Sequence, residues 1–347
     1  MKWVHDALRG IVIRSVIGIA LLMTGQVRMA LAQQPSQSFA SINLPSNAHL
    51  SALGGVNVSL ADQNINFFQS NPSLNSDTLN GWASVNHLFY FANIGLSTFS
   101  YQYEFERLGA FAFGFQHLSL GNIDGYDAAG NATQSYSSGE STIFIGKSHQ
   151  IHNFRLGINA KGVFSNLAGF RASALLFDLG GSFIHPSRAL SIGMVIKNIG
   201  FVTNNYSSAS SSDVPFDVQV GLSYKPEHMP LRFSVTAYNL VNFNNASLDT
   251  LIIRDQPSTL DEVMRHFVFG TEILLHRNIS LLLGYNFLKH GELKLEQAGG
   301  GAGFSIGAKA NVRDFSFGFS RAGYVAGGAW QLSLDVNTNR FLKKRRI

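Results

Sequence analysis

From Trp330 to Asn337 the chain reads Trp-Gln-Leu-Ser-Leu-Asp-Val-Asn, apolar and polar in strict alternation. Successive side chains of a strand point to opposite faces, so a period of two builds a strand with one apolar and one polar face. The rhythm recurs in Phe315-Ser-Phe-Gly-Phe-Ser, Phe304-Ser-Ile-Gly-Ala-Lys-Ala, Val218-Gln-Val-Gly-Leu-Ser-Tyr and Leu231-Arg-Phe-Ser-Val-Thr-Ala. Repeated from residue 81 onward, it predicts a large all-β, antiparallel barrel.

Composition indicates which solvent the two faces meet. Charged residues are 14% and aromatic residues 12% of the 347, where an ordinary soluble domain carries about 25% charge. A chain this long with so few charges needs an apolar phase to cover it. No run after residue 32 approaches the ~18 apolar residues of a spanning helix: Asp178 interrupts Leu175 to Ile184, and His276 with Arg277 interrupts Ile273 to Leu283. A closed barrel in lipid satisfies both constraints, because its strands leave no backbone group unpaired in hydrocarbon. Lys2, Arg9 and Arg14 flank the apolar stretch Ser15 to Met23, and Ala30-Leu31-Ala32 has the small-x-small form of a cleavage site, so residues 1–32 read as a secretory signal peptide. Setting aside its four basic residues and one acid leaves 22 Lys plus Arg against 20 Asp plus Glu, four of those bases lying together at Lys343 to Arg346. That balance speaks against a nucleic-acid partner. The absence of cysteine fits an exported chain held by strand pairing.

Alternation and breakers together give about fourteen strands over residues 81–347, and all eight prolines fall outside them. Proline lacks the ladder donor, which is why its placement supports the count. Connections after even strands are short, as at Phe105 to Leu108 and Asn311 to Asp314; those after odd strands include the long Ser119 to Gly139, Gly200 to Pro215, Leu240 to Arg265 and Lys289 to Ala302. Short turns on one rim and long loops on the other is the asymmetry of outer-membrane barrels, with both termini on the short-turn side. Residues 33–80 break the rhythm: a turn into a short helix at Leu44 to Ala48, a brief strand at Asn57 to Leu60 and a turn at Asn71-Pro72-Ser73 are expected there. The segment is long enough to fold back as a hatch, or plug, inside the lumen.

No catalytic, cofactor or metal constellation emerges. Gly303-Phe-Ser-Ile-Gly307 has the letters of a nucleophile elbow, but its serine lies within an alternating strand rather than at a strand-to-helix turn. Gly146-Lys147-Ser148 ends like a phosphate-binding loop without the leading glycine or a following helix. Ten histidines beyond the signal peptide lack metal-ligand spacing and read as turn or interface residues. Carboxylates are sparse, and those at strand positions read as unpaired. Phe89-Tyr90-Phe91, Tyr101-Gln-Tyr103, Tyr285-Asn-Phe287, Tyr324 and Trp330 sit near strand ends, where interfacial aromatic girdles form.

The stretch from Phe39 to Asn75, with Leu53-Gly54-Gly55 and Asn71-Pro72-Ser73-Leu74, resembles the start of the PorQ family of type IX secretion barrels, within a group of FadL-like barrels that carry such elements in the hatch. Ser73 stands where the group usually has alanine. Pro215-Phe-Asp-Val-Gln-Val-Gly-Leu-Ser-Tyr through Leu231, and Arg265-His266 with Gly270-Thr-Glu272 leading to Gly284-Tyr285-Asn286, extend the likeness over most of the chain. The resemblance implies a non-enzymatic outer-membrane component of an attachment complex, anchoring a PorZ-like surface protein beside a PorU-like sortase and a PorV-like barrel, in contact with outer-membrane lipid and lipopolysaccharide. Leu53, Gly54, Gly55, Asn71, Pro72 and Ser73 would be structural hatch residues. Tyr126, Tyr136, Phe243, Ile252, Ile253 and Arg254 in the long loops are the candidate partner contacts, being types that form binding hot spots. A competing expectation is a FadL-like transporter of hydrophobic compounds working alone, with gaps at glycines such as Gly299 to Gly301 or Gly327-Gly328.

Overall fold

The computed structural model describes residues 38–62, 64–90, 94–127, 130–187, 189–207, 212–241, 258–292, 301–324 and 327–342. Fourteen strands form one closed antiparallel barrel. In chain order they are β1 Trp82–Phe89, β2 Gly95–Phe105, β3 Gly109–Tyr126, β4 Ala132–Ile151, β5 Phe154–Leu167, β6 Phe170–Ile184 and β7 Leu190–Asn204, followed by β8 Asp217–Tyr224, β9 Leu231–Ala237, β10 Phe267–His276, β11 Ile279–Asn286, β12 Phe304–Val312, β13 Phe315–Tyr324 and β14 Gly327–Asn337. Each pairs with the next, and β1 closes the ring against β14 from Trp82↔Asn337 to Phe89↔Trp330. No helix of the described residues is long and apolar enough to cross a membrane.

Alternation decides which face meets lipid. Following the registers sideways from β14, one outward row runs Leu334, Val85, Phe99, Phe115, Ile143, Gly162, Leu175 and Phe201. Except for Gly162 these are large apolar side chains exposed on the outer surface. The alternate positions, such as Ser84, Asn86, Ser100, Gln102, Gln116 and Thr142, point inward and are buried although polar. A soluble sandwich would bury the first set and wet the second; here the order is reversed, as a lipid-facing barrel requires.

Two features differ from expectation. Ser119 to Gly139 is not a loop: β3 and β4 continue pairing through Asn122↔Ser137 to Tyr126↔Ala132, with register shifts at Gly121 and near Gly125. Likewise β7 runs on to Asn204, into the segment expected to be a loop from Gly200. Strands β3 to β7 are therefore 14 to 20 residues long, whereas β8 to β12 are 7 to 10. One side of the barrel stands as a tall wall on the long-loop rim. The short turns, such as Glu106–Leu108 and His152–Asn153, line the opposite rim.

Candidate functional site

The lumen is occupied by residues 39–80, nearly all buried. This hatch has little regular structure: one short helix α1, Ala48–Ala52, and several 3-10 turns. Asparagines fold it. The Asn47 Oδ1 accepts from the Leu50 amide at 2.8 Å, Asn57 from those of Ser59 and Leu60 at 3.0 and 2.9 Å, Asn64 from Asn66 at 2.9 Å and Asn71 from Ser73 at 3.0 Å. An Asx side chain that satisfies its own downstream amides lets a chain turn repeatedly within a packed interior. The segment Asn57 to Leu60, expected as a strand, is turned by this means and pairs with no strand.

The hatch motif residues lie where the hatch is pressed close to the wall. Gly54 and Gly55 have φ of +96° and +94°, and a methyl on Gly54 would run into Val268 Cγ1. The Asn286 side chain donates to the Gly54 carbonyl at 3.1 Å. On the other side of the lumen Pro72 and Asn71 lie against Gly157 and Gly180, glycines of β5 and β6 whose missing Cβ atoms make room for them. Asn71 Nδ2 donates to the Val58 carbonyl at 2.8 Å, and Ser73 Oγ donates to Asn71 Oδ1 at 2.8 Å. The serine in place of alanine thus adds a bond inside the turn.

A charged latch joins the hatch to the short-strand side. His49, on α1, shares a hydrogen bond of 2.8 Å with Glu272 of β10, and Arg232 of β9 donates to the other oxygen of that carboxylate from Nε at 2.8 Å. Lys309 of β12 donates to Asp62 of the hatch at 2.8 Å, and His49 Nδ1 lies 3.8 Å from the same carboxylate. Burial alone would raise the Asp62 pKa, but Lys309, Arg232 and His49 together hold its carboxyl far below the usual carboxylate range. These residues correct two expectations: His49 is neither a turn nor an interface residue, and Glu272 is a paired strand carboxylate. Single-sequence spacing could not reveal them, since 223 positions separate His49 from Glu272.

The tall side has its own buried pairs. Glu140 of β4 accepts from both the amide and the hydroxyl of Ser41, and Gln116 of β3 donates to the Ser41 carbonyl at 2.5 Å. Lys161 of β5 meets Asp178 of β6 at 2.6 Å, while Asp178 also accepts from the Asn198 amide at 2.8 Å. Asn198 has φ of +60° and marks the point where two residues of β7 oppose one of β6. Ser305, the serine of the elbow-like sequence, lies in β12 and donates to the Ala52 carbonyl of the hatch at 2.8 Å; Ser148 of β4 does the same to Asn75 at 2.9 Å. Lys289 stands half-buried beside Gly55, its Nζ 5.6 Å from the Tyr324 ring centre, and burial pulls its ammonium down to about 8.

Between hatch and wall a cavity of about 150 Å³ remains, bordered by Leu50, Gln69, Lys197, Asp217, Gln219 and Tyr238. It lies behind a break in the wall: β8 and β9 pair only from Val220↔Ala237 to Tyr224↔Phe233, leaving Asp217 to Gln219 without a partner on β9 in that ladder. Among the described residues no group of three His, Cys, Asp or Glu side chains is placed to hold a metal. Of the expected partner contacts, Tyr136 is on the tall wall, 38% exposed and packed near Gly169 of the neighbouring turn. Tyr126 ends β3. Phe243, Ile252, Ile253 and Arg254, like residues 1–32, Gly299-Gly300 and Lys343 to Arg346, lie outside the described residues.

No family model matches the chain, and no curated protein matches it in sequence. Solved structures do. The deltaS2 mutant of the TodX monoaromatic hydrocarbon channel aligns over 84% of this chain and 97% of that one at 12% identity, with a TM-score of 0.50. The Ralstonia pickettii toluene transporter TbuX aligns over 85% and 97% at 11% identity with a TM-score of 0.48. A Pseudomonas aeruginosa FadL homologue aligns over 84% and 98% at 9% identity with a TM-score of 0.45. Identity this low bears on fold alone. The closed fourteen-strand ring and the apolar outer belt are those of an outer-membrane β-barrel, and its fold is similar to that of the FadL-like barrels.

Proposed function

We propose that the protein is a non-enzymatic anchor, a hatch-sealed outer-membrane barrel that holds a surface partner on its tall wall. One observation carries this reading: β3 and β4 continue as a paired ribbon far beyond the apolar belt, through Asn122↔Ser137 to Tyr126↔Ala132, while the lumen beneath is filled and fastened by buried hydrogen bonds and ion pairs. A rigid ribbon standing above the membrane gives a partner an ordered surface without the entropy cost of fixing a loop. The resemblance of the hatch and of β8 to β11 to PorQ-like sequences supplies the partner: a PorZ-like surface protein beside a PorU-like sortase and a PorV-like barrel. The test is affinity capture from gently solubilised outer membranes, comparing wild type with a variant in which Asn122 to Ser137 is replaced by a tight turn. Surface proteins should accompany the wild type and be lost from the variant. Equal recovery with both would remove the wall from the proposal.

A second reading, passage of hydrophobic compounds by the barrel alone, is favoured by the likeness in fold to TodX, a monoaromatic hydrocarbon channel, and by the cavity behind the β8–β9 break. The structural neighbours support this reading rather than the attachment role. Capture of the barrel alone, with uptake of toluene into cells dependent on it, would establish transport instead.

A further inference from the structure

One step above the outward apolar row the side chains change character. The next row, read across the registers, is His87, Ser97, His117, Ser141, Phe164, Ser173 and Asn204. Two residues of strand is about 6.7 Å, and over that step the outer face of β2 to β4, β6 and β7 passes from hydrocarbon to hydroxyl, imidazole and amide groups, while β5 keeps the exposed Phe164. His117 and Ser141 share a hydrogen bond of 2.8 Å, which fixes the imidazole against the sheet.

Within this row a hollow of about 560 Å³ opens across β3 to β7, a size that suits a small-molecule site. Two outward glycines make it. The Phe164 ring leans down toward Gly162, where a Cβ would stand 3.5 Å from the ring, and the His117 ring lies over Gly139, where a Cβ would stand 3.4 Å from Cε1. Each ring packs against a glycine of the outer face and leaves the space between them open. The walls are hydroxyls and amides, Ser119, Ser141, Asn166 and Ser173 among them, with the guanidinium of Arg171 at the edge. Asn166 donates from Nδ2 to the Ser137 carbonyl at 3.1 Å, while its buried Oδ1 has no hydrogen-bond partner. The Asn204 amide donates to the Arg171 backbone carbonyl at 3.1 Å. Among the described residues no carboxylate forms an ion pair with the Arg171 guanidinium.

We infer that this hollow is a binding site for the phosphorylated sugar headgroup of a membrane glycolipid. Its parts match the halves of such an amphiphile: an aromatic face with surrounding hydroxyls and amides for a sugar ring, a planar guanidinium for a phosphate, and directly below them the apolar row of Phe115, Ile143, Leu175 and Phe201 for acyl chains. A soluble sugar phosphate would have no use for the last of these. The inference needs the outer-membrane barrel and is independent of whether the protein anchors a partner or passes hydrocarbons.

The test is native mass spectrometry of the purified full chain in neutral detergent, titrated with lipid A, with enzymatically dephosphorylated lipid A and with phosphatidylglycerol. Lipid A should remain bound at least ten-fold more tightly than phosphatidylglycerol. R171E and F164A should each weaken lipid A by about ten-fold, and loss of phosphate should abolish the difference between wild type and R171E. Both positions are exposed on the outer face, so heat-modifiable migration on gels, the mark of a folded barrel, should be retained. Equal binding of lipid A by wild type, R171E and F164A would overturn the site. Phosphatidylglycerol bound as tightly as lipid A would overturn the sugar assignment.

Discussion

The two sides of this barrel hold the same hatch by different means. On the short-strand side the contact is electrostatic: His49 and Asp62 meet Glu272, Arg232 and Lys309. On the tall side it combines close packing, Asn71 and Pro72 set against Gly157 and Gly180, with hydrogen bonds from Ser41 to Glu140 and from Gln116 to Ser41. A strand of 7 to 10 residues has few inward positions, so a few strong groups must suffice; β4 to β6 offer 14 to 20 residues, and close backbone approach can be spread along them. The charged side is thus open to disruption by loss of one carboxylate, and the packed side by addition of one methyl.

The largest effect is expected from Glu272→Ala, which leaves His49 and Arg232 without their shared acceptor. Breaking a buried pair by removing one partner costs about 3–5 kcal/mol. Limited proteolysis should then cut the hatch near Asp62 while the barrel resists, and an unchanged cleavage pattern would show that packing on the tall side suffices. On the packed side Gly180→Ala comes next. A Cβ there would run into Asn71 Oδ1 and stand 2.9 Å from Pro72 Cδ, and overpacking of this kind costs about 1–3 kcal/mol, so thermal unfolding should move to lower temperature; Gly162→Ala, on the outer face, should not shift it.

Two titrations act on the charged side, in opposite pH ranges. Asp62 has its pKa depressed in the folded state, so its contribution is fully present above the ordinary carboxylate value of about 3.9 and declines as pH falls toward the folded value. Hatch protection should therefore persist at pH 5 and fade only in stronger acid. Lys289 acts in the opposite range: its ammonium is held down to about 8 by burial, the unfolded chain binds the extra proton between there and about 10.4, and stability should rise with pH across that window. Amide exchange of Gly54 and Gly55 at pH 7.5 and 9.5 would read it, and Lys289→Met should flatten the difference. The smallest effect belongs to the wall's tip: shortening the turn at Asp127 to Asn131 should change barrel stability by no more than about 0.5 kcal/mol, as urea unfolding would check.

Much of the architecture was legible because lipid imposes a period. Phe315-Ser-Phe-Gly-Phe-Ser can serve only one kind of strand, and fourteen such segments with prolines confined to turns fix the strand number and the short-turn rim. The break in rhythm before Gly81 likewise marked a segment that was not wall. Ser119 to Gly139 was misread as loop because beyond the apolar belt both faces of the ribbon are polar, and alternation fades while pairing continues.

What the sequence determined by itself was therefore the set of local choices: strand, turn, lipid face and lumen face, each governed by neighbours one to four residues apart. Only the tertiary structure decided which lumen residues meet the hatch. Ser41 with Glu140, His49 with Glu272 and Lys309 with Asp62 are 99, 223 and 247 positions apart. Nothing periodic links them, because the hatch crosses the lumen in irregular turns. The shape of the closed ring sets those meetings, and with them the burial that turns sparse charges into a latch.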